Sequence, residues 1–144
     1  MIFLKIVTNG ENLVLYINKS IINFDIHVKE QVEKFIKTIV IKLRKRGFDI
    51  SGFYSVKVYQ NNNYGLVIDM KKEDDLDFFP DLIDLKLVIN YDSDMYIKVD
   101  DYFFVCCFDS IYFKDNYWYI NINDLDDKDI IKLLEFGELV YNSN

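Results

Sequence analysis

The sequence predicts an α+β fold, with an N-terminal ββαββ unit followed by an antiparallel β-meander and a C-terminal helix. Three observations favour this class. Residues 1–17 contain two β-prone apolar runs around an Asn-Gly pair, residues 27–46 repeat apolar side chains at offsets of three and four, and residues 85–122 contain short apolar or alternating runs separated by turns. The chain has 144 residues, 51% of them apolar, which is enough to bury a core.

The N-terminal unit begins with a hairpin formed by residues 2–7 and 13–17, because Asn9-Gly10 supplies the positive φ that a tight turn requires. Residues 27–46 then predict an amphipathic helix, with lysines between the apolar positions. Asp25 is the expected N-cap, and Gly47 is expected to end the helix in a left-handed conformation. A second hairpin, from residues 53–60 and 64–70 around three asparagines, completes the ββαββ order.

The second half is predicted to contain strands at residues 85–91, 95–99, 102–108, 111–113 and 117–122. Asn123 or Asp124 is expected to cap the C-terminal helix, and Gly137 to end it. The charge-rich segment 73–84, which contains the single proline Pro80, marks a boundary. We therefore expect a unit at 1–72, a connector at 73–84 and a unit at 85–144, packed as one compact domain or as two.

The charge of the chain changes sign at this boundary. Residues 1–72 carry 12 Lys/Arg and 6 Asp/Glu, a net of +6, whereas residues 73–144 carry 5 Lys/Arg and 18 Asp/Glu, a net of −13. The halves could therefore attract each other, or each could present its charge to a separate partner. The positive charge concentrates on the predicted helix as a candidate basic patch. Its residues are Lys34, Lys37, Lys42, Arg44, Lys45 and Arg46.

The residues that catalysis or cofactor binding requires are scarce. His27 is the single histidine, and the five glycines form no phosphate-binding or dinucleotide-binding motif. Cys106 and Cys107 are adjacent in a predicted strand, so their side chains would point to opposite faces and would not pair. The acids at 124–129 lack the central glycine and final glutamate of a calcium loop, and helix capping explains them better. We expect no enzyme, no catalytic residue, no cofactor and no metal site.

The sequence also indicates where the protein acts. It has no charged-then-apolar leader and no apolar run of about 18 residues, so we expect neither secretion nor a membrane span. The absence of a disulfide framework favours the reducing cytoplasm. Direct nucleic-acid binding is not expected, because the chain has a net charge of −7 and a lysine-rich helix face is ordinary.

Aromatic residues concentrate in the second half, where they fall on both faces of the predicted strands. They are therefore either covered core residues or anchors for a partner. The candidate partner-binding residues combine these aromatics with the acids near the predicted helix cap. They are Tyr102, Phe104, Tyr117, Trp118, Tyr119, Asp124, Asp126 and Asp127.

Residues 111–122 read Ile-Tyr-Phe-Lys-Asp-Asn-Tyr-Trp-Tyr-Ile-Asn-Ile, and they lead into the acids at 124–128 and into Leu-Leu-Glu-Phe-Gly at 133–137. This pattern resembles the aromatic hairpin and acid-capped helix in the C-terminal domain of MecA-type adaptors. Residues 31–70 are similar to the helix and strands of that family's N-terminal domain. The resemblance implies an adaptor that holds a substrate with one half and a Clp-type unfoldase with the other. This chain is shorter, lacks the long acidic linker and has an additional N-terminal hairpin.

The sequence therefore predicts a cytoplasmic, non-enzymatic regulatory or adaptor protein that acts by protein–protein binding. The alternative is a small acidic inhibitor from a mobile element, of the anti-defence type, that imitates nucleic acid and blocks a nucleic-acid-binding effector. Both hypotheses require a protein partner, which is an unfoldase in the first and a basic effector protein in the second.

Overall fold

The computed structural model describes residues 4–74 and 83–141, which form an α+β protein, as the sequence predicts. The described residues contain two helices and nine strands in two sheets. The first sheet and its helix are built from β1 (Leu4–Asn9), β2 (Asn12–Asn18), α1 (Lys29–Lys45), β3 (Gly52–Asn61), β4 (Gly65–Asp74) and β5 (Ile83–Asn90). They are followed by β6 (Met95–Val99), β7 (Ile111–Lys114), β8 (Tyr117–Asn121), α2 (Asp127–Leu134) and β9 (Glu138–Tyr141).

The first sheet has the strand order β1-β2-β4-β3-β5. The predicted opening hairpin is confirmed: β1 and β2 are antiparallel, Asn9 pairs with Asn12, and Gly10 takes a φ of 62° in the turn. Alternate residues of the strands and one face of α1 form a single apolar core, which we call the first core. Its buried members are Leu13, Leu15, Ile17, Val32, Ile36, Ile39, Val40, Leu43, Ile50, Tyr54, Val56, Val58, Leu66, Ile68, Met70, Leu85 and Leu87.

The helix α1 begins at Lys29 with Val28 as its N-cap, so the prediction that Asp25 caps it is wrong. The Asp25 carboxylate instead accepts a hydrogen bond from the backbone N–H of His27 at 2.9 Å and forms a local turn before the helix. The predicted end is confirmed, because Gly47 takes a φ of 98° immediately after the C-cap Arg46.

The strand β5 corrects the predicted organisation. It pairs with β3 at the edge of the first sheet, and it contributes Leu85 and Leu87 to the first core, so it does not begin the C-terminal meander. Its alternating pattern specifies a buried face but not a neighbouring strand. The compact units are accordingly discontinuous: the first takes residues 4–58, 66–74 and 83–89, and the second takes residues 59–65 and 90–141. Of the predicted connector, residues 75–82 lie outside the described residues.

The second sheet has the order β7-β8-β6-β9. The sequence did not predict β9, a strand of four residues that pairs antiparallel with β6. Between α2 and β9, Gly137 passes very close to β6: a Cβ at this position would lie 2.7 Å from the Lys98 carbonyl oxygen and 2.7 Å from Cγ1 of Val99. Because Gly137 has no side chain, the chain can pass this close to β6 as it turns from α2 into β9.

The predicted strand at residues 102–108 is wrong. Residues Tyr102–Phe104 form a 3-10 turn, and a second turn follows them. The Asp101 carboxylate caps this turn by accepting a hydrogen bond from the Phe103 N–H at 2.9 Å, and such a cap competes with a strand. Cys106 and Cys107 therefore do not alternate across a sheet; both are exposed free thiols.

The tip of the β3–β4 hairpin, residues 59–65, belongs to the second unit. Asn61 is buried there, and its side chain accepts hydrogen bonds from the N–H groups of Asn63 and Tyr64 while it donates to the Ser93 carbonyl at 3.0 Å. Gln60 accepts through its side chain from Asp92 N–H at 2.9 Å and through its carbonyl from Ser93 N–H at 2.7 Å. These bonds fasten the turn before β6 to the hairpin tip.

Candidate partner-binding site

The second sheet has one covered face and one open face. Its antiparallel register places Ile97 and Ile111 opposite Ile120, and Lys98 and Tyr112 opposite Tyr119, so the two sets project to opposite sides. The covered face consists of buried apolar residues. They are Met95, Ile97, Val99, Ile120 and Leu139. In the same unit α2 buries Ile130 and Leu133, as expected for a helix with one apolar face.

The open face carries a group of residues that we call the tyrosine face: Tyr96, Lys98, Tyr112, Tyr117 and Tyr119. The rings of Tyr112 and Tyr119 stack with centroids 5.1 Å apart, and Tyr96 meets Tyr112 edge-on at 5.8 Å. The Lys98 Nζ lies 3.9 Å from the centroid of the Tyr117 ring, within range of a cation–π interaction. Desolvation raises the pKa of the Tyr112 phenol above its ordinary value, and the neighbouring Tyr96 and Tyr119 add to this effect.

A second aromatic group, which we call the aromatic rim, consists of Tyr102, Phe103, Phe104, Phe113, Trp118 and Phe136. In one part of the rim the Trp118 ring contacts both Phe113 and Tyr102, at centroid distances of 4.7 Å and 4.8 Å. In the other part Phe104 contacts Phe103 at 6.1 Å and stacks on Phe136 at 4.7 Å with an interplanar angle of 11°. The 3-10 turn at Tyr102–Phe104 contributes Tyr102 to the first group of rings and Phe103 and Phe104 to the second.

The aromatic rim is held in place and nevertheless faces solvent. The backbone of Phe103 is fixed on both sides, since its N–H donates to Asp101 and its carbonyl accepts a hydrogen bond from the Cys106 thiol at 3.3 Å. Its side chain is 75% exposed, and those of Phe113, Phe136 and Tyr102 are 54%, 53% and 48% exposed. Several large aromatic side chains exposed in this way are typical of an interaction site rather than of a solvated surface.

Acidic residues flank the residues of the aromatic rim in the sequence. Asp100 and Asp101 precede Tyr102, Asp109 precedes β7, and Glu135 precedes Phe136; all four are exposed. The second unit as a whole has 12 Asp/Glu and 4 Lys, a net of −8. A surface that combines exposed aromatic rings with negative charge is complementary to an apolar and basic partner.

The structure divides the predicted partner-binding residues among three locations. Tyr102, Phe104 and Trp118 lie in the aromatic rim, whereas Tyr117 and Tyr119 lie on the tyrosine face, because adjacent strand residues point to opposite sides. The predicted acids form a third group beside α2. They are Asp124, Asp126 and Asp127, all exposed.

The N-cap of α2 is Asp126, so the prediction that Asn123 or Asp124 caps this helix is wrong. The Asp126 carboxylate accepts a hydrogen bond from the Asp129 N–H at 2.8 Å. Asn123 and Asp124 instead belong to a 3-10 turn, Ile122–Asp124, which the Asn121 side chain caps. Among the predicted acids, Asp126 therefore has a structural role.

The candidate basic patch lies on α1 and its C-terminus, in the first unit. Lys34, Lys42, Lys45 and Arg46 are exposed. The other two predicted members make contacts within the fold: Lys37 forms a 3.2 Å ion pair with Glu33, and the Arg44 Nε donates to the Ile50 carbonyl. The patch carries no aromatic residue.

Phe103, Phe113 and Phe136 are rim residues that are absent from the partner-binding set predicted from the sequence. A signal for Phe103 was present, because the pair Asp100-Asp101 before three aromatics is typical of a capped turn, which would expose one of them. Phe113 follows from strand alternation once Trp118 is placed, since the two are directly opposite in the register. Phe136 gave no comparable signal.

Other kinds of site find little support in the described residues. Across residues 4–74 and 83–141, no three His, Cys, Asp or Glu side chains come together as a metal site. Within the same ranges, no helix has the length and apolar character needed to cross a membrane. Comparisons of the chain with protein-family models, with curated proteins and with solved structures find no match.

Proposed function

We propose that this protein acts without catalysis, by holding a protein partner on the aromatic rim of its second unit. The observation that carries the proposal is the exposure of Phe103. This residue is 75% exposed, although hydrogen bonds fix its backbone on both sides. Burying such a ring gains hydrophobic free energy, and a backbone that is already fixed lowers the entropy cost of ordering the segment on binding. Aromatic side chains of this kind are the usual energetic centres of protein interfaces.

The charge around the aromatic rim favours a partner with Lys or Arg beside apolar residues. In the adaptor form of the proposal this partner is a Clp-type unfoldase or a substrate that the protein delivers to it, as the MecA-like sequence pattern suggests. The two exposed free thiols are consistent with action in the cytoplasm.

The inhibitor form of the proposal also requires a basic partner, but it assigns the contact to the acids. Exposed Asp124 and Asp127, together with the net charge of −8 on the second unit, favour this alternative. In that case the aromatic rim would be of secondary importance, and binding would depend chiefly on charge.

Affinity capture from native lysate, followed by mass spectrometry, tests the proposal. We expect the wild-type chain and Phe48→Ser to retain the same partner, and Phe103→Ser with Phe136→Ser to lose it. Phe48 is the matched control because it is an exposed phenylalanine, 38% accessible, in the first unit. An AAA+ unfoldase among the captured proteins supports the adaptor, and a nuclease or other DNA-binding effector supports the inhibitor. Capture that is equal for all variants contradicts the role of the rim.

The salt dependence of binding separates the two forms. Charge-dominated association weakens steeply as ionic strength rises, because exposed charges are screened over about 10 Å at 0.1 M salt. Burial of aromatic surface is much less sensitive to salt. Affinity that changes little between low and high salt supports the rim, and a steep loss that Asp124→Asn with Asp127→Asn reproduces supports the inhibitor.

A further inference from the structure

The strand β7 lies at one edge of the second sheet, with β8 as its neighbour. A two-residue turn joins the strands, and both turn residues have positive φ, 52° at Asp115 and 70° at Asn116. This is the type I′ geometry that matches the twist of a hairpin. Lys114 and Tyr117, which flank the turn, therefore form the hydrogen-bonded pair that closes the hairpin.

This register fixes the direction of the backbone groups of β7. Hydrogen-bonded and non-hydrogen-bonded pairs alternate along an antiparallel ladder. Counting back from Lys114, Tyr112 is bonded to Tyr119, whereas Ile111 and Phe113 face Ile120 and Trp118 as non-hydrogen-bonded pairs. The N–H and C=O groups of Ile111 and Phe113 consequently point away from β8, out of the sheet edge, where they can pair with another strand.

The side chains of β7 make this edge apolar on both faces. Phe113 is 54% exposed and contacts Trp118 in the aromatic rim, and Tyr112 is 44% exposed on the tyrosine face. A strand added here would cover both rings and extend the rim. Natural edge strands are usually protected by charge or by a bulge, so an accessible edge with two aromatic rings indicates a binding function.

The charges at the ends of β7 indicate which strand fits. Asp109 precedes the strand, Asp115 follows it, and both are exposed. The last strand residue, Lys114, is exposed as well, but the unit that contains it has a net charge of −8. In a twofold pairing of two copies with Tyr112 opposite Tyr112, Asp109 would lie opposite Asp115 of the other copy, and two units of net charge −8 would meet. A second copy is therefore disfavoured, and a strand with positive charge at both ends is favoured.

We propose that β7 binds an extended segment of the protein partner by strand addition. The segment pairs antiparallel with the outward groups of Ile111 and Phe113, so that two of its residues lie directly opposite them and share their face. It carries two apolar residues two positions apart, on the rim side, with Lys or Arg flanking them at both ends. This inference rests on the proposed binding function and specifies its mode and the chemistry of the partner.

A synthetic peptide, Lys-Lys-Thr-Val-Thr-Phe-Thr-Lys-Lys, tests the inference directly. Trp118, the single tryptophan, reports its binding by fluorescence because it contacts Phe113. N-methylation of the Val and Phe nitrogens, which would face β7, is expected to weaken binding about tenfold, since it removes two hydrogen bonds. N-methylation of the first and second Thr is the matched control and is expected to change affinity less than about twofold. Equal effects of the two modifications, or no binding of the unmodified peptide, would overturn the inference.

The variant Ile111→Pro tests the same edge in the protein, because it removes an outward N–H and leaves the bonds between β7 and β8 in place. We expect about tenfold weaker peptide binding than for the control Ile111→Val, with the near-UV spectrum of Trp118 unchanged. If Phe103→Ser loses the captured partner and Ile111→Pro keeps it, strand addition is wrong and the rim proposal stands. If the wild type sediments as a dimer and Ile111→Pro as a monomer, the edge holds a second copy and the inference is overturned.

Discussion

At the scale of single residues, Asn61 shows how one side chain can organise a unit. It is 3% exposed, and its amide accepts hydrogen bonds from the N–H groups of Asn63 and Tyr64 and donates to the Ser93 carbonyl and the Asn123 side chain. A buried amide used in this way joins segments that are 32 residues apart in the chain. It therefore specifies the geometry of the second unit as well as its stability.

We expect Asn61→Ala to lower the free energy of unfolding by about 1–3 kcal/mol, because it leaves buried N–H and C=O groups without partners. Chemical denaturation followed by Trp118 fluorescence measures the change. Asn62→Ala is the matched control: Asn62 is exposed and accepts one side-chain bond, from Gln60 at 2.7 Å. Equal losses for the two variants would contradict the organising role of Asn61.

Asp129 makes the stability of the second unit depend on pH. Desolvation, and then the neighbouring Asp126 carboxylate, raise the pKa of Asp129 above its ordinary value. The folded protein thus holds this proton more tightly than the unfolded chain does. Ionised Asp129 disfavours folding above its raised pKa, and this penalty disappears as the pH falls below the ordinary value of about 3.9.

Asp129→Asn should therefore be more stable than the wild type near neutral pH, and the difference should vanish on acidification. Thermal unfolding of both proteins across the acidic pH range measures it. Asp124→Asn removes one negative charge from a nearby exposed position and serves as the control. A difference between Asp129→Asn and the wild type that stays constant with pH would exclude this explanation.

At the scale of elements, the sequence predicted α1 well and the turn at Tyr102–Phe104 badly, for physical reasons. In α1 the apolar period, the basic last turn and Gly47 all favour the same structure. At residues 102–108 the aromatic composition favoured a strand, but the Asp101 side chain bonds to the Phe103 N–H and stabilises a turn. A single local hydrogen bond therefore decides where Phe103 lies.

The candidate site was predictable in composition but not in arrangement. Strand alternation alone separates Tyr117 and Tyr119 from Trp118, and that separation could have been derived from the sequence. The contact between Phe104 and Phe136 could not, because it depends on where α2 ends relative to a turn more than 30 residues earlier. Long-range contacts of this kind leave no periodic pattern.

The two sides of α1 offer a controlled test of its amphipathic pattern. Ile36 is fully buried in the first core, whereas Ile41, on the same helix, is 50% exposed. We expect Ile36→Ala to lower the free energy of unfolding by about 2–5 kcal/mol, because it leaves a cavity. Ile41→Ala should change it by less than about 0.5 kcal/mol. Similar effects at the two positions, measured by denaturant titration, would contradict the packing of α1.

At the scale of the whole molecule, the chain does not divide where its charge changes sign. The charge changes sign near residue 72, which lies inside β4, and the predicted connector ends inside β5, although both strands contribute to the first core. The second unit, in turn, includes the hairpin tip 59–65 from the first half of the chain. The distribution of charge along the chain reflects surfaces and their partners, but it does not determine which strands pair. The division by charge therefore differs from the division into compact units.

We therefore expect neither of the fragments 1–72 and 85–144 to fold alone. The first lacks Leu85 and Leu87 of its core, and the second lacks Gln60 and Asn61, which fasten the turn before β6. Amide NMR spectra of each fragment should be poorly dispersed, and thermal unfolding should show no cooperative transition, whereas the full chain should show both properties. Cooperative unfolding of fragment 85–144 by itself would mean that the hairpin tip is dispensable, and that the acidic half is an autonomous domain after all.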